Sequence, residues 1–138
     1  MITAYLMAPV RGIGGDNVSD EEKQDNVDKA IAVGKAIRQA IPELDLYVPH
    51  EHEEIIDQIW KDWLTGDQIV QSCIPLAVKR DIGIHWTGNG WSGGVDKERK
   101  ARDEAGKLNI EIRWPDELAF RRIRQAMWDI RESKKQDT

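Results

Sequence analysis

Cysteine is nearly absent from this chain, and long apolar runs are absent altogether. Cys73 is the only cysteine in 138 residues, so no disulfide can form within the chain. A lone thiol suits a reducing compartment. No stretch approaches the roughly 20 apolar residues needed to cross a bilayer. The opening residues MITAYLMAPV carry neither a basic region nor a small-residue cleavage site, so they do not read as a signal peptide. These absences give the expectation of a cytoplasmic protein with no membrane partner. An excess of positive charge is also lacking, the formal net charge being −5. Broad binding to a nucleic-acid polymer usually needs a basic face, so that class is disfavoured. The Arg/Lys-rich stretch from Arg121 to Lys135 is local and reads as the solvated face of a helix.

What is present fits one domain over residues 1–138, long enough to bury about two thirds of its unfolded surface without a disulfide or metal. The five prolines and two glycine-rich stretches divide it. Ile2 to Met7 is a short apolar run closed by Pro9, a buried strand. Arg11 to Asp16 is a glycine-rich loop. Ser19 and Glu22 form a capping box for a helix whose apolar positions run from Val27 to Ile41, and Pro42 ends it. Leu44 to Val48 reads as a second strand and Glu53 to Leu64 as a helix. Thr65-Gly66 breaks that helix, and Asp67 is placed to cap another, with a kink expected at Pro75. Asp81 to Trp86 is a third strand and Thr87 to Gly94 a second glycine-rich loop. Val95 to Gly106 reads as a helix and Leu108 to Ile112 as a fourth strand. Pro115 sits in the first turn of a last helix, whose tail is expected to fray from Ser133.

Strands alternating with helices predict an α/β fold, a Rossmann-like (flavodoxin-like) three-layer sandwich on a mostly parallel sheet of four to five strands. Ligands bind such sheets at the carboxyl ends of the strands, where the strand order switches direction. Both glycine-rich loops fall on that edge. In the second, a helix N-terminus with the Ser92 hydroxyl beside it suits a phosphate, and Glu98 follows one turn into the helix. The simpler reading is a tight turn with a capping serine, and a first-turn acid favoured by the helix dipole.

Three stretches together resemble the nucleoside 2-deoxyribosyltransferase superfamily, nearest in motif to the 2′-deoxynucleoside 5′-monophosphate N-glycosidases and their phage and bacterial relatives. Tyr5-Leu6-Met7-Ala8-Pro9-Val10-Arg11-Gly12 is similar to the family's first strand and loop. Asp81-Ile82-Gly83-Ile84 is similar to a later strand, and Ser92-Gly93-Gly94-Val95-Asp96-Lys97-Glu98 to its S-x-G-x-x-x-E motif. The resemblance implies Glu98 as a nucleophile that forms a glycosyl ester, with Tyr5 tuning it and Asp81 supporting the pocket. It implies Pro9, Arg11, Gly12, Asn89, Trp91, Ser92, Gly93 and Gly94 as substrate-binding, and no cofactor. A serine at position 92 donates to a phosphate where a carboxylate would repel it, which favours a nucleotide over a nucleoside. The implied reaction is hydrolysis of a (deoxy)nucleoside 5′-monophosphate to base and sugar phosphate. Base exchange between nucleosides is the alternative, and a homodimer or higher homo-oligomer is implied.

Two positions depart from the family. Ala8 stands where it has glycine, and Cys73 where it has an aspartate. The second departure favours a rival from another class, a nucleotide-binding or sensing protein without turnover. Other candidates have plainer readings. His50-Glu51-His52, with Glu54 and His85, has the donors of a zinc site, but an ordinary loop explains them as well. His85 reads as a hydrogen-bonded core or wall histidine and Cys73 as packing. Trp86 and Trp91 flank the second loop, as stacking surface or as core.

Overall fold

A computed structural model describes residues 1–11, 15–88, 90 and 92–136. Its four strands are β1 (Thr3–Met7), β2 (Asp45–Tyr47), β3 (Ile82–Trp86) and β4 (Leu108–Ile112). The helices are α1 (Asp20–Ala40), α2 (Glu53–Trp60), α3 (Gly66–Lys79), α4 (Gly93–Glu104) and α5 (Glu117–Gln136), with 3-10 turns at Gly15–Asn17 and Pro49–Glu51. The sheet is parallel throughout, in the order β2-β1-β3-β4. This is the Rossmann-like three-layer α/β fold. The chain leaves β1 for β2 on one side and later returns to β3 on the other. The switch point therefore lies between β1 and β3, whose carboxyl ends carry the two glycine-rich loops.

Strand side chains alternate between two cores. Ala4, Leu6, Ile82, Ile84, Trp86, Ile110 and Ile112 pack against α1 and α5 through Val33, Ile37, Ile123 and Met127. Tyr5 and Met7 point to the other face, where Ile55 and Ile59 of α2, Ile69, Val70 and Cys73 of α3, and Val95 of α4 cover them. At the amino edge, Arg102 of α4 is fully buried and donates to Asn109 Oδ1 and to the carbonyls of Ala77, Arg80 and Leu108. Gly83 leaves room for it: a Cβ there would lie 2.3 Å from Arg102 Nε and 2.4 Å from Asn109 Oδ1. Both neighbours are held by their own bonds, so Gly83→Ala is expected to cost about 1–3 kcal/mol of overpacking. Urea titration would measure it, and an unchanged midpoint would show that Arg102 moves aside freely.

Several boundaries differ from expectation for identifiable reasons. Thr65, and not Asp67, caps α3: its hydroxyl accepts from Gln68 N while Gln68 Oε1 accepts from Thr65 N. Asp67 instead pairs with Lys97. α3 runs through Pro75 as one helix, with Pro75 and Gln71, the residue four before it, both on the solvent face. There water can take the bond that the proline forfeits. Pro115 precedes α5 and does not sit in its first turn; Asp116 Oδ1 accepts from Ala119 N at the helix start. The last helix continues past Ser133 to Gln136.

Candidate functional site

A cleft of about 470 Å³ opens at the switch point. Val10 and Arg11 after β1 and Asp16 of the first 3-10 turn form one wall. Thr65 to Asp67 and Val70 of α3 form a second, and Ser92, Gly93 and Gly94 at the start of α4 a third. Ser92 caps α4, its Oγ accepting from Val95 N at 3.2 Å. A hydroxyl that accepts this way still has its own proton to donate. The first-turn N–H groups of α4 point out of its end beside it. A Cβ on Gly93 would meet nothing within 4 Å. One on Gly94 would lie 2.7 Å from Val70 Cγ2, so this glycine lets α3 and α4 approach closely along the cleft.

One turn along α4 from Gly94, and beneath it, lies Glu98, only 2% exposed. Tyr5, the middle residue of β1, donates its phenolic O–H to Glu98 Oε2 at 2.6 Å. Burial drives the Glu98 pKa from 4.5 up to about 8, against the smaller downward pull of the Tyr5 bond. Burial and then the Glu98 carboxyl push the Tyr5 hydroxyl well above its ordinary value. Cys73 lies against the same pair; burial first and Glu98 second raise its thiol to about 11. The three groups form a buried polar cluster in which Glu98 holds its proton at neutral pH. Perturbation by desolvation beside a cleft is a recognised mark of functional groups.

The remaining expected residues fall in different places. Arg11 is 3% exposed, and all five of its N–H groups are engaged. Nε donates to Ile59 O, one terminal nitrogen to Asp16 Oδ1 and Leu64 O, and the other to Gln58 O and Lys61 O. It lines the cleft but serves as a cap on the end of α2, with no donor left for a phosphate. Pro9 is buried, and its carbonyl accepts from Asn26 Nδ2 and His50 Nε2. Asp81 stands at the opposite, amino edge, where its Oδ2 accepts from the Thr3 N–H and hydroxyl. Against the upward push of burial, those bonds together with the charges of Lys134 and Lys107 hold its pKa low. It does not join Tyr5 and Glu98. Gly12, Asn89 and Trp91 lie outside the described residues.

His50 and His52 do not converge: the first is buried against Pro9, and the second stacks on Tyr47 with ring centroids 4.1 Å apart. Among the described residues, no group of three or more His, Cys, Asp or Glu could hold a metal ion. His85 is buried, and Arg99 donates to its Nδ1 at 3.1 Å. That bond leaves the proton of the neutral ring on Nε2. Burial and then Arg99 depress the His85 pKa. Trp86 belongs to the core.

Sequence reading missed the α3 wall from Thr65 to Val70 and the roles of Asp16 and His50. Asp16 Oδ1 reaches across fifty positions to Gly66 N at 2.7 Å and so closes the wall between the β1 loop and α3. His50, read as a loop histidine, fixes the end of β1. An aspartate followed by Asn17 near the end of a glycine-rich loop signals a turn, and nothing local indicates so distant a partner. No family model, curated protein or solved structure matches the chain.

Proposed function

We propose that the protein is an N-glycosidase of (deoxy)nucleoside 5′-monophosphates. The observation that carries this reading is the Tyr5–Glu98 pair, held at 2.6 Å beneath a cleft whose wall is the Ser92-capped start of α4. The likeness of the Tyr5, Asp81 and Ser92-to-Glu98 stretches to nucleoside 2-deoxyribosyltransferases supports it. In this scheme the α4 amides and the Ser92 hydroxyl take the phosphate. The Glu98 carboxylate attacks the anomeric carbon; the bond to the base breaks as the glycosyl ester forms, and the base takes a proton from solvent. Water then hydrolyses the ester, releasing sugar phosphate and regenerating Glu98. The scheme requires Glu98 to be ionised and to meet the cleft when substrate is bound.

The test is an incubation with a panel of ribo- and deoxyribonucleoside 5′-monophosphates, following base release by chromatography. Release from at least one substrate is expected, and Glu98→Ala should reduce it to the level of buffer. The rate should rise with pH through about 8, as Glu98 loses its proton. Tyr5→Phe removes a bond that lowers the Glu98 pKa, so it should move this limb to higher pH. One observation favours a second reading, a nucleotide-binding protein without turnover: Glu98 is only 2% exposed and is not among the residues that line the cleft. Nucleotide binding with no base release would select that reading. Neither binding nor release would eliminate both.

A further inference from the structure

The last helix carries a stripe that the rest of the chain leaves uncovered. Ala119, Ile123, Ala126 and Met127 of α5 are buried against the sheet. On the outer side, Leu118, Arg121, Gln125 and Trp128 follow one another at spacings of three and four, and all are exposed. Leu118 and Trp128 are 66% and 57% exposed, a large apolar surface for a helix whose other face is already packed. Two charges on this side lack a counter-ion within their own chain. Arg121 has no hydrogen bond or ion pair among the described residues. Asp129, next to Trp128, accepts from the Gln125 side-chain amide and, among the described residues, meets no cation.

These features have a two-fold pattern. Arg121 and Asp129 lie four positions before and four after Gln125. In an antiparallel pair of α5 helices centred on Gln125, each position 121 faces position 129 of the other copy, and symmetry makes the contact twice. In the same register Trp128 comes over Leu118, Arg121, Arg122 and Gln125 of the facing helix. Those four are spaced as i, i+3, i+4 and i+7, which is the hole that a knob fills. Two arginines beside an indole add cation–π attraction. Arg122 is already laid against β4 by its bond to the Glu111 carbonyl. The residue on the axis is an uncharged amide, so no like charges meet there. A parallel pair would set Arg121 against Arg121 and Asp129 against Asp129, so the charges select the antiparallel arrangement.

We propose that this stripe is the contact surface of a symmetric homodimer, in which Arg121 pairs with Asp129 of the second copy and Trp128 fills the hole between Leu118 and Gln125 of the facing α5. The helix lies on the opposite face of the sheet from α3 and α4, so neither the cleft nor Glu98 takes part. The proposal is therefore independent of the glycosidase reading. One helix pair is a contact at the low end of specific interfaces, so the dimer exchanges with monomer at micromolar concentrations.

Sedimentation velocity of the full chain across micromolar concentrations tests this. The wild-type mass is expected to rise from that of one chain to that of two. Arg121→Asp and Asp129→Arg should each weaken the dimer at least about tenfold, because two attractive contacts become repulsive. The double variant restores opposite charges across the axis and should recover the dimer. Trp128→Ala, which empties the hole, should weaken it by a similar factor. All three positions are exposed, so these substitutions leave the fold in place. A monomer at every concentration, a dimer indifferent to charge reversal, or a double variant that fails to recover would each overturn the proposal.

Discussion

Replacing Glu98 by glutamine is expected to stabilise the protein at alkaline pH and, on the glycosidase proposal, to abolish base release. The fold holds the Glu98 proton up to about pH 8, whereas an unperturbed glutamate releases it near 4.5. Between those values the unfolded chain binds fewer protons than the native one, so rising pH removes stability. Below about 4.5 the contribution is fully present, and above about 8 the loss is complete. A gap of this width corresponds to at most about 5 kcal/mol. Glutamine fills the same space, keeps an oxygen for the Tyr5 hydroxyl and has nothing to ionise. Wild type and Glu98→Gln should therefore unfold at similar urea concentrations near pH 5. Near pH 9 the variant should be more stable by several kcal/mol. The comparison cancels the titrating groups that Glu98 does not touch, because both proteins carry them; Tyr5 and Cys73, which it does touch, are raised chiefly by burial. Parallel curves from pH 5 to 9 would mean that the carboxyl is ionised at neutrality, and the account of the buried cluster would fall. The stabilised variant would also show what an ionisable carboxyl in this position costs the fold.

The second large effect is expected at Arg11. Its guanidinium gathers the carbonyls of Gln58, Ile59, Lys61 and Leu64 together with the Asp16 carboxylate. Truncation to alanine leaves these acceptors facing a void and Asp16 without its cation. Breaking a buried charged network in this way typically costs about 3–5 kcal/mol. Arg11→Lys should recover little, because one ammonium cannot reach five acceptors spread around a planar fork. Denaturant midpoints for the two variants would decide the matter. A loss below about 1 kcal/mol in Arg11→Ala would show that water replaces the arginine without difficulty. Had Arg11 been a phosphate contact, the same substitution would weaken nucleotide binding and leave the fold largely intact.

The sheet and its order of elements were legible because short apolar runs ended by prolines mark strands, and because the periodic run from Val27 to Ile41 has the spacing of a helix. The edge that bears the cleft followed from placing two glycine-rich loops after strands. Local chemistry was less decisive where two caps competed: Thr65 and Asp67 both suit a helix start, and the capping box with Gln68 favoured the threonine. Arg11 illustrates what sequence leaves open. An arginine in a glycine-rich loop suggests an anion site, but its carbonyl acceptors lie about fifty positions away in the chain. Asp81 shows the same gap at a different scale. It marks the beginning of β3, and a parallel strand of five residues carries the chain from that edge to the other. The depth of Glu98 was also not readable, since it depends on how closely Gly94 and Val70 bring α3 against α4.

The position of β1 has a consequence for how the molecule is made. The earliest of the four strands is a central one, bordered by β2 and β3. During synthesis it can pair with β2 once Asp45–Tyr47 has emerged, but its other edge stays open until β3 arrives. Tyr5 then waits 93 positions for the carboxyl it will bind. Until β3 arrives, β1 is an apolar strand with one unpaired side, open to aggregation while the segment up to β3 is still being translated. Slow decoding before β3, or truncation ahead of it, should expose that edge to chaperones far more than any substitution in the finished fold.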